Sequence, residues 1–368
     1  MQATYPDTCV MFARFLFHTG YMGNERKNET FSMKMLRASF FYFRGLREGG
    51  IVMMEVLLQI GLLALGFVLL VKGADWFVEG ASSLAERFGI PQLVIGLTIV
   101  AMGTSLPEAA VSVSAALKGS AEITIGNIVG SNIMNVLLIL GLTALITPIA
   151  VQKSTVRYEI PYVILVSAIL WALGSTKDHL LGFSDGLILW GLMLLYLAYL
   201  LVMAKKGVPL PEEAGSREEK PMSVWKMLFL IVLGGAMIVV GSDLAVDAAT
   251  ELALIFGMSE RLIGLTIVAF GTSLPELVTS VTAAIKGKAD IAVGNIVGSN
   301  IFNILFVVGT SALITPVEYA TDFFVDSVVC IASAALLWLC VVKNKRLGRL
   351  GGAIMLACYG GYFAYLIR

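Results

Sequence analysis

The sequence predicts an all-α membrane protein with ten transmembrane helices, arranged as two inverted repeats of five helices with broken helices at a central site. Apolar residues make up 58% of the 368 residues and charged residues 14%, and the mean hydropathy is +0.86. Apolar segments of about 20 residues, enough to cross a bilayer core, recur along the chain. A stretch at residues 96–108 returns at 264–276 with twelve of thirteen positions identical and an offset of 168 residues. One half of the protein therefore repeats the other.

The first repeat is expected to cover residues 53–204. A helix from Val56 to Val71 is followed by an amphipathic stretch that Gly73-Ala-Asp75 opens and that ends at Phe88. Asp75, like Asp243 after the equivalent apolar run in the second half, is expected to cap or position a helix. The predicted spans are 56–71, a broken segment that continues to 117, 126–146, about 159–174 and about 181–203.

The second repeat is expected to cover residues 224–368. It follows a solvated linker at 205–223, which is charged and rich in Pro and Gly. The predicted spans are about 224–241, 244–286 in broken form, 291–314, 323–342 and 350–366.

Basic residues predict the orientation of the two repeats. An odd number of spans in each half makes the second repeat insert upside down relative to the first. If the linker is cytoplasmic, the loops on its side hold fourteen Lys and Arg, whereas the opposite loops hold Lys118, Lys177 and Arg368. Because short basic loops stay in the cytoplasm, the linker is predicted to be cytoplasmic and both termini to lie outside it.

Residues 1–52 differ from the rest of the chain. They are polar and aromatic, carry seven of the 26 Lys and Arg, and lack a small-residue cleavage site after an apolar core. Their basic residues would also fall on the wrong side of the membrane. We therefore expect this stretch to be either an extended start-site assignment or a disordered extension.

A polar, helix-breaking motif lies inside each copy of the repeated stretch. Gly-Thr-Ser-Leu-Pro-Glu occurs at 103–108 and again at 271–276. Pro107 has no N–H and its ring clashes with the carbonyl four residues back, so the carbonyl of Gly103 loses its helical partner. In hydrocarbon such a carbonyl is costly unless protein, water or an ion satisfies it. Pro275 has the same effect on Gly271.

The same motif collects oxygen atoms on one face of the helix that resumes at the proline. Thr104 lies four residues before Glu108, and Ser105 lies three residues before it, so their side chains are neighbours on the helix surface. The repeat gives the equivalent positions to Thr272, Ser273 and Glu276.

A second motif supplies a polar stripe. Gly-Asn-Ile-Val-Gly-Ser-Asn-Ile-Met-Asn at 126–135 returns at 294–303 with nine of ten positions identical. Asn127, Ser131 and Asn135 are spaced by four and therefore share one helix face. The stripe either faces the carboxylates or forms hydrogen bonds between helices, and the second role is favoured for Asn132 and Asn300, which point off the stripe.

These residues favour transport of a hard cation. Inverted repeats with broken helices near the bilayer midplane are typical of secondary transporters. The symmetry axis brings Glu108 and Glu276 together, and two buried carboxylates repel unless a cation lies between them. The ligands on offer are oxygens, which suit Ca²⁺ or Na⁺ and not Zn²⁺ or Cu⁺.

Other classes of function lack support in the sequence. The net charge is zero, which argues against a nucleic-acid partner. Neither a nucleophile–base set nor a His-Glu-x-x-His motif is present, so we expect no enzyme and no cofactor. The expected partners are the transported cations and membrane lipid, and the sequence leaves the oligomeric state open.

The two doubled motifs resemble the alpha-repeats of the sodium/calcium exchanger family, within the cation/calcium antiporter superfamily. The resemblance covers residues from about 54 to 368 and is strongest to the short prokaryotic members, whose place is the inner membrane. It implies ten spans and exchange of Ca²⁺ for Na⁺. It also implies that the helices near 56–72 and 224–241 slide past a fixed core.

The resemblance also implies a set of ligands. Glu108 and Glu276, with Thr104 and Thr272, would ligate Ca²⁺. The Na⁺ sites would add the carbonyls of Ala101 and Ala269, the side chains of Ser105, Ser131, Ser273 and Ser299, and the amide of Asn135.

One position departs from the family pattern. Several members have an aspartate where this chain has Asn303, so the central site holds two acids and not three. One Ca²⁺ or two Na⁺ would balance that charge. The departure leaves open the stoichiometry, a dependence on K⁺, exchange of another cation, and an H⁺/Ca²⁺ antiporter with Glu108 and Glu276 as proton acceptors.

Overall fold

The computed structural model describes residues 26–117, 122–175, 179–206, 222–257, 269–321 and 323–366. The first part of the second repeated stretch, at 264–268, and most of the predicted linker, at 207–221, lie outside these residues. The chain divides into two units between Leu58 and Gln59. All contacts discussed below lie within the second unit.

Helices make up most of the described chain. Among the described residues, three π-helical turns connect consecutive α-helices, at Gly96–Val100, Asn135–Leu140 and Asn303–Val308, and a fourth, Thr155–Glu159, leads into an α-helix. The α-helices are α1 (Arg26–Phe88), α2 (Gln92–Ile95), α3 (Ala101–Thr104), α4 (Leu106–Leu117), α5 (Glu122–Met134), α6 (Gly141–Ile146), α7 (Ile160–Gly174), α8 (Phe183–Lys206), α9 (Val224–Ile255), α10 (Ala269–Thr272), α11 (Leu274–Ile285), α12 (Ala289–Phe302), α13 (Gly309–Ile314), α14 (Phe323–Val342) and α15 (Arg349–Leu366).

Seven helical segments in the described residues are long and apolar enough to cross a bilayer. An eighth candidate is the pair Gln92–Thr104 and Leu106–Leu117, which is bent by 51°. α11 is apolar but has only 12 residues. The described residues thus support a multi-span helical protein, and the count of ten stays a prediction. The seven segments are Met53–Phe88, Thr124–Ile146, Thr155–Gly174, Phe183–Lys205, Val224–Ile255, Ala289–Ile314 and Phe323–Val342.

Two predicted helix ends are wrong. The spans predicted at 56–71 and 224–241 do not end there, because α1 continues to Phe88 and α9 to Ile255. Neither stretch contains proline, and an interior glycine costs a helix only about 1 kcal/mol. Asp75 and Asp243 lie inside these helices and cap neither. The carboxylate of Asp75 instead pairs with the ammonium of Lys286 at 2.6 Å.

Glycines bring α1 and α9 into backbone contact. A Cβ added at Gly66 would lie 2.8 Å from the carbonyl oxygen of Gly241, and one added at Gly73 would lie 2.8 Å from that of Gly234. Gly80 follows seven residues later, and this spacing keeps the three glycines on one side of α1. The two helices therefore cross antiparallel with no side chain between them at these points.

Two short antiparallel ladders join loops from the two halves. Strand β1 (Ile149–Ala150) pairs with β4 (Arg346–Leu347), with Ile149 opposite Leu347. Strand β2 (Leu180–Leu181) pairs with β3 (Val317–Glu318), with Leu181 opposite Val317. Each ladder thus fixes one loop of the first half beside one loop of the second.

The helices that carry the asparagine motifs lie at the centre of the main core. Nearly every residue of α12 is buried, and α5 with its π-helical turn is largely buried as well. α12 packs on the segments α2 to α3, while α11, α5 and α14 also border this centre. The polar motifs are therefore enclosed by protein and not by lipid.

We expect Gly73→Val to lower the free energy of unfolding by about 1–3 kcal/mol, because its side chain overlaps α9 and forces the two helices apart. Gly61→Val is the matched control, since a Cβ at Gly61 in the same helix meets nothing within 4 Å. Thermal unfolding of the purified protein in detergent measures both. Equal melting temperatures for the two variants would contradict the close crossing.

Candidate cation-binding site

The helix breaks at the serine before the proline in both motifs. Ser105 has φ −85° and ψ 10°, and Ser273 has φ −94° and ψ 5°, so neither residue continues a regular α-helix. Glu108 and Glu276 then fall in the first turns of α4 and α11. A helix N-terminus favours negative charge, so each break places a carboxylate where the helix dipole stabilises it.

Each buried carboxylate is held by a serine of the opposite repeat. Glu108 and Glu276 are both fully buried. The hydroxyl of Ser105 donates to Oε1 of Glu276 at 2.8 Å, and the hydroxyl of Ser273 donates to Oε1 of Glu108 at 3.3 Å. Because Ser105 and Glu108 lie in adjacent turns, this exchange brings the two carboxylates together. The expected meeting of the two motifs is thus observed.

Four buried oxygens around the carboxylates lack a hydrogen-bond partner. They are Oε2 of Glu108, Oε2 of Glu276, Oδ1 of Asn135 and Oδ1 of Asn303. They account for four of the nine such buried side-chain atoms among the described residues. A buried acceptor without a partner is costly. Two of these oxygens belong to carboxylates, and either a bound cation or a proton would neutralise such a buried group.

Amides from α5 and α12 orient the asparagine oxygens. Asn132 and Asn300 each donate to the main-chain oxygen of the other at 3.1 Å. Nδ2 of Asn135 donates to Oδ1 of Asn300 at 3.0 Å, and Nδ2 of Asn303 donates to Oδ1 of Asn132 at 3.2 Å. The amide N–H groups are used within the protein, so Oδ1 of Asn135 and Asn303 remain as acceptors. Asn132 and Asn300 form the interhelical bonds that their positions favoured.

Two further asparagines hold the main chain of the glutamates. Nδ2 of Asn127 donates to the carbonyl oxygen of Glu108 at 3.3 Å and to Oγ of Ser112 at 2.9 Å. Asn295 makes the same two bonds to Glu276 and Ser280, at 3.4 and 2.9 Å. The sequence placed Asn127 on the polar stripe but not against the glutamate backbone. The four-residue spacing between Asn127 and Ser131 is the sequence feature that indicated a shared helix face, but it did not indicate the contact with the main chain of Glu108.

Thr104, Ala101 and Ser299 form a connected group beside Glu276. Oγ1 of Thr104 lies 2.9 Å from Oδ1 of Asn295 and 3.3 Å from the carbonyl oxygen of Ala101. The hydroxyl of Ser299 also approaches this carbonyl, at 3.3 Å, and Oε1 of Glu276 at 3.5 Å. The carbonyl of Ala101 is therefore already hydrogen-bonded, and a cation would have to compete with these hydroxyls.

The remaining predicted ligands lie on helices that carry or flank the two motifs. Ser131 is buried in α5, and Ala269 and Thr272 begin and end α10. α10 contacts α5. The roles of these three residues as ligands stay predictions.

Ser242 is a site residue that sequence analysis missed. Its hydroxyl donates to the carbonyl oxygen of Gly271 at 2.9 Å, which is the carbonyl that Pro275 deprives of a helical partner. Ala74 occupies the equivalent position in the first half and has no hydroxyl. The carbonyl of Gly271 is therefore satisfied by Ser242, a serine that has no counterpart in the first repeat.

A cavity of about 530 Å³ reaches the second motif from the side of α9. Thr272 and Gly271 line it at one end, and Pro107 of the first motif lines it as well. Asp243 and Asp247 of α9 add two carboxylates to its wall. The cavity therefore has negative side chains and ends at the Gly-Thr-Ser-Leu-Pro-Glu motif.

The fold and the site define a membrane transport protein. Broken helices from two repeated halves meet at buried carboxylates, an arrangement typical of secondary transporters. A family model described as sodium/calcium exchanger protein matches residues 58–203 and 226–368. The chain belongs to this family, and it is an integral membrane protein.

Similar proteins include two curated relatives and a solved structure. Inner membrane protein YrbG of Escherichia coli strain K12 is 41% identical over 322 residues, which cover 84% of this chain and 96% of YrbG. Sodium/calcium exchanger MaX1 of Methanosarcina acetivorans is 33% identical over 341 residues, covering 83% and 97%. A structure of the sodium-calcium exchanger NCX_Mj soaked with Na⁺ and Sr²⁺ is 35% identical, covers 84% of this chain and 98% of that chain, and has a TM-score of 0.72.

We expect Ser242→Ala to lower the free energy of unfolding by about 1–3 kcal/mol, because the buried carbonyl of Gly271 then loses its side-chain donor. Ser167→Ala is the matched control, since the hydroxyl of Ser167 is also buried but lies 3.9 Å from the Cys330 sulfur, a weak partner. Thermal unfolding in detergent compares the two variants. A smaller loss for Ser242→Ala than for Ser167→Ala would contradict this role.

Proposed function

We propose that the protein is a secondary active antiporter that exchanges Ca²⁺ for Na⁺ across the membrane by alternating access. The observation that carries the proposal is the set of four buried acceptor oxygens without a partner, two of them on carboxylates that belong to opposite repeats. Membership of the sodium/calcium exchanger family supports the same pair of ions. The function is transport and not catalysis.

The proposed Ca²⁺ ligands are the glutamates and threonines of the two motifs. Oε2 of Glu108 and of Glu276 face the site without a hydrogen-bond partner, as a divalent cation requires. Thr104 and Thr272 precede the helix breaks and contribute hydroxyl oxygens. Two carboxylates balance one Ca²⁺.

The proposed Na⁺ ligands surround the same carboxylates. Two Na⁺ carry the same charge as one Ca²⁺. Either set of ions therefore neutralises the two negative charges of Glu108 and Glu276. Asn303 replaces a third acid with a neutral oxygen that also lacks a partner. The proposed set comprises the carbonyls of Ala101 and Ala269 and the side chains of Ser105, Ser131, Ser273, Ser299, Asn135 and Asn303.

The proposed architecture has ten spans in two inverted repeats. The repeats are 53–204 and 224–368, a cytoplasmic linker is 205–223, and 1–52 is an extension that lies outside the repeats. The two ranges matched by the family model fit this division. The ladders also support it, because each joins two loops that the topology assigns to the same side of the membrane. We propose the prokaryotic inner membrane as its location.

Charge balance supplies the coupling in this proposal. An unloaded cage would enclose two carboxylates in low dielectric, which is costly. A cage with one Ca²⁺ or two Na⁺ carries no net charge. The protein therefore switches between its inward-facing and outward-facing states only when these ions are bound. The moving part is the pair α1 and α9, which pack backbone against backbone at the glycine-lined crossing and so can move together past the core.

The cavity beside α9 is the proposed aqueous route to the site. It ends at Thr272 and carries Asp243 and Asp247 on its wall. Negative side chains concentrate cations ahead of a buried site. In the proposed topology this part of α9 is on the side opposite the linker, so the cavity corresponds to an outward-open route.

Uptake of ⁴⁵Ca²⁺ into proteoliposomes loaded with Na⁺ tests the function. We expect uptake that follows the outward Na⁺ gradient and falls to the level of protein-free vesicles in Glu108→Gln and in Glu276→Gln, because one remaining carboxylate cannot balance Ca²⁺. Glu251→Gln is the matched control, since Glu251 is an exposed acid of α9 and its loss should leave uptake unchanged.

Vesicles loaded with K⁺ or with acid distinguish the alternatives. Uptake that follows only the pH gradient would make the protein an H⁺/Ca²⁺ antiporter and contradict Na⁺ coupling. Undiminished uptake in both glutamine variants would contradict the site itself.

A further inference from the structure

A second cavity lies between the start of α7, with the π-helical turn before it, and the later part of α8. Its volume is about 360 Å³, within the range of small-ligand pockets. Four tyrosines and one carboxylate are among the residues that line it. The residues used below are Arg157, Glu159, Tyr158, Tyr162, Tyr196 and Tyr199.

The carboxylate in this pocket is buried and only half satisfied. Glu159 is 1% exposed. Its Oε1 accepts a short hydrogen bond from the hydroxyl of Tyr199, whereas its Oε2 has no partner in the described part of the chain. No Lys or Arg of that part forms an ion pair with it. An ionised carboxylate buried in this state is costly, and a bound cation is one way to offset that cost.

A second polar atom in the pocket is also without a partner. Tyr196 is 4% exposed, and its hydroxyl has no hydrogen-bond partner among the described residues. Its ring stacks on that of Tyr162, with centroids 5.6 Å apart. Tyr196 and Glu159 line one cavity, so a single ligand with hydrogen-bond donors could satisfy both groups.

The tyrosine rings select the kind of cation. Tyr158 and Tyr199 have ring centroids 6.4 Å apart, and both line the cavity together with the stacked pair. Aromatic faces attract organic ammonium groups, which shed water more easily than small metal ions. The guanidinium of Arg157 lies 5.7 Å from the centroid of Tyr158 and supplies a positive group at the rim. The pocket thus offers a site for an ammonium and, beside it, one for an anion.

The mouth of the pocket opens between lipid-facing side chains. Leu165 of α7 is 51% exposed and Leu195 of α8 is 62% exposed, and both line the cavity. In a membrane protein such leucines contact acyl chains. The ligand therefore combines an ammonium, a neighbouring anion and apolar chains, which is the chemistry of an aminophospholipid.

The pocket is separate from the exchange site. The offset of 168 residues gives Ser327 and Cys330 the positions of Glu159 and Tyr162, so the second repeat does not duplicate it. Glu159 also ends the π-helical turn Thr155–Glu159. Such turns often mark functional sites, and two of the other three in the described part of the chain begin with Asn135 and Asn303 of the proposed exchange site.

We propose that this pocket binds the headgroup of a phosphatidylethanolamine, with its ammonium on Glu159 and Tyr196 and its phosphate toward Arg157. The lipid then holds the start of α7 against α8 in the part of the protein that stays fixed during exchange. Neither the ion ligands nor the coupling depends on it.

Binding of a short-chain phosphatidylethanolamine with a fluorescent acyl chain to the purified full chain in detergent tests this site. We expect it to bind about tenfold more tightly than phosphatidylglycerol with the same chains, a difference of about 1.4 kcal/mol. Glu159→Gln should abolish this preference, because the neutral amide no longer attracts the ammonium. Tyr196→Phe keeps the ring and should weaken binding by a smaller factor.

Tyr362→Phe is the matched control. Its hydroxyl bonds Asp326 at 3.0 Å, so it removes a tyrosine–carboxylate bond from the second half and should keep the lipid preference. Equal affinity for the two lipids, or an unchanged preference in Glu159→Gln, would overturn the proposal. Displacement of the lipid by free ethanolamine at equal concentration would assign the pocket to a soluble ammonium, and displacement by millimolar Na⁺ or Ca²⁺ would assign it to a metal ion.

Discussion

Two carboxylates buried together in a low-dielectric interior constrain the rest of this structure. Glu108 and Glu276 are fully buried, and each accepts a hydrogen bond from a serine of the other repeat. This exchange of partners requires both helix breaks to face each other at one level of the bundle. The asparagines of α5 and α12 then fix the backbone behind each glutamate and the amide oxygens in front of it. The arrangement leaves four buried oxygens without a hydrogen-bond partner, and these are the atoms that we propose bind the cation.

The protein joins its two halves in two different ways. The binding centre is held by hydrogen bonds between the halves, and two short ladders tie loops of the two halves together. In contrast, α1 and α9 contact each other through glycine backbone. In the exchange mechanism that we propose, the hydrogen-bonded centre stays fixed, and the close crossing lets α1 and α9 move as one pair.

Much of the centre was predictable because its signals are local and repeated. Proline at 107 and 275 predicts a break in any helix, and the structure bends by 51° at the first motif. The pairing of the two glutamates follows from the repeat itself. The ends of α1 and α9 were not predictable from Gly73 and Gly241. Each of these glycines packs against the neighbouring helix and does not break its own helix.

Other features depend on contacts between distant residues and have no local pattern. Ser242 is one of many serines, and its role appears only when α9 lies beside the carbonyl of Gly271. The pocket at Glu159 likewise needs tyrosines from two different helices, such as Tyr162 and Tyr196, which lie 34 residues apart in the sequence. Because the second repeat lacks this pocket, the internal symmetry that revealed the exchange site gave no sign of it.

Equilibrium binding of ⁴⁵Ca²⁺ to the purified protein in detergent, at increasing Na⁺ concentration, tests most directly whether the two repeats form one shared cage. The account predicts one Ca²⁺ per chain, displaced completely and cooperatively by Na⁺, because both ions neutralise the same pair of carboxylates. Two independent Ca²⁺ sites per chain, or Ca²⁺ that stays bound at saturating Na⁺, would contradict a single cage shared by Glu108 and Glu276.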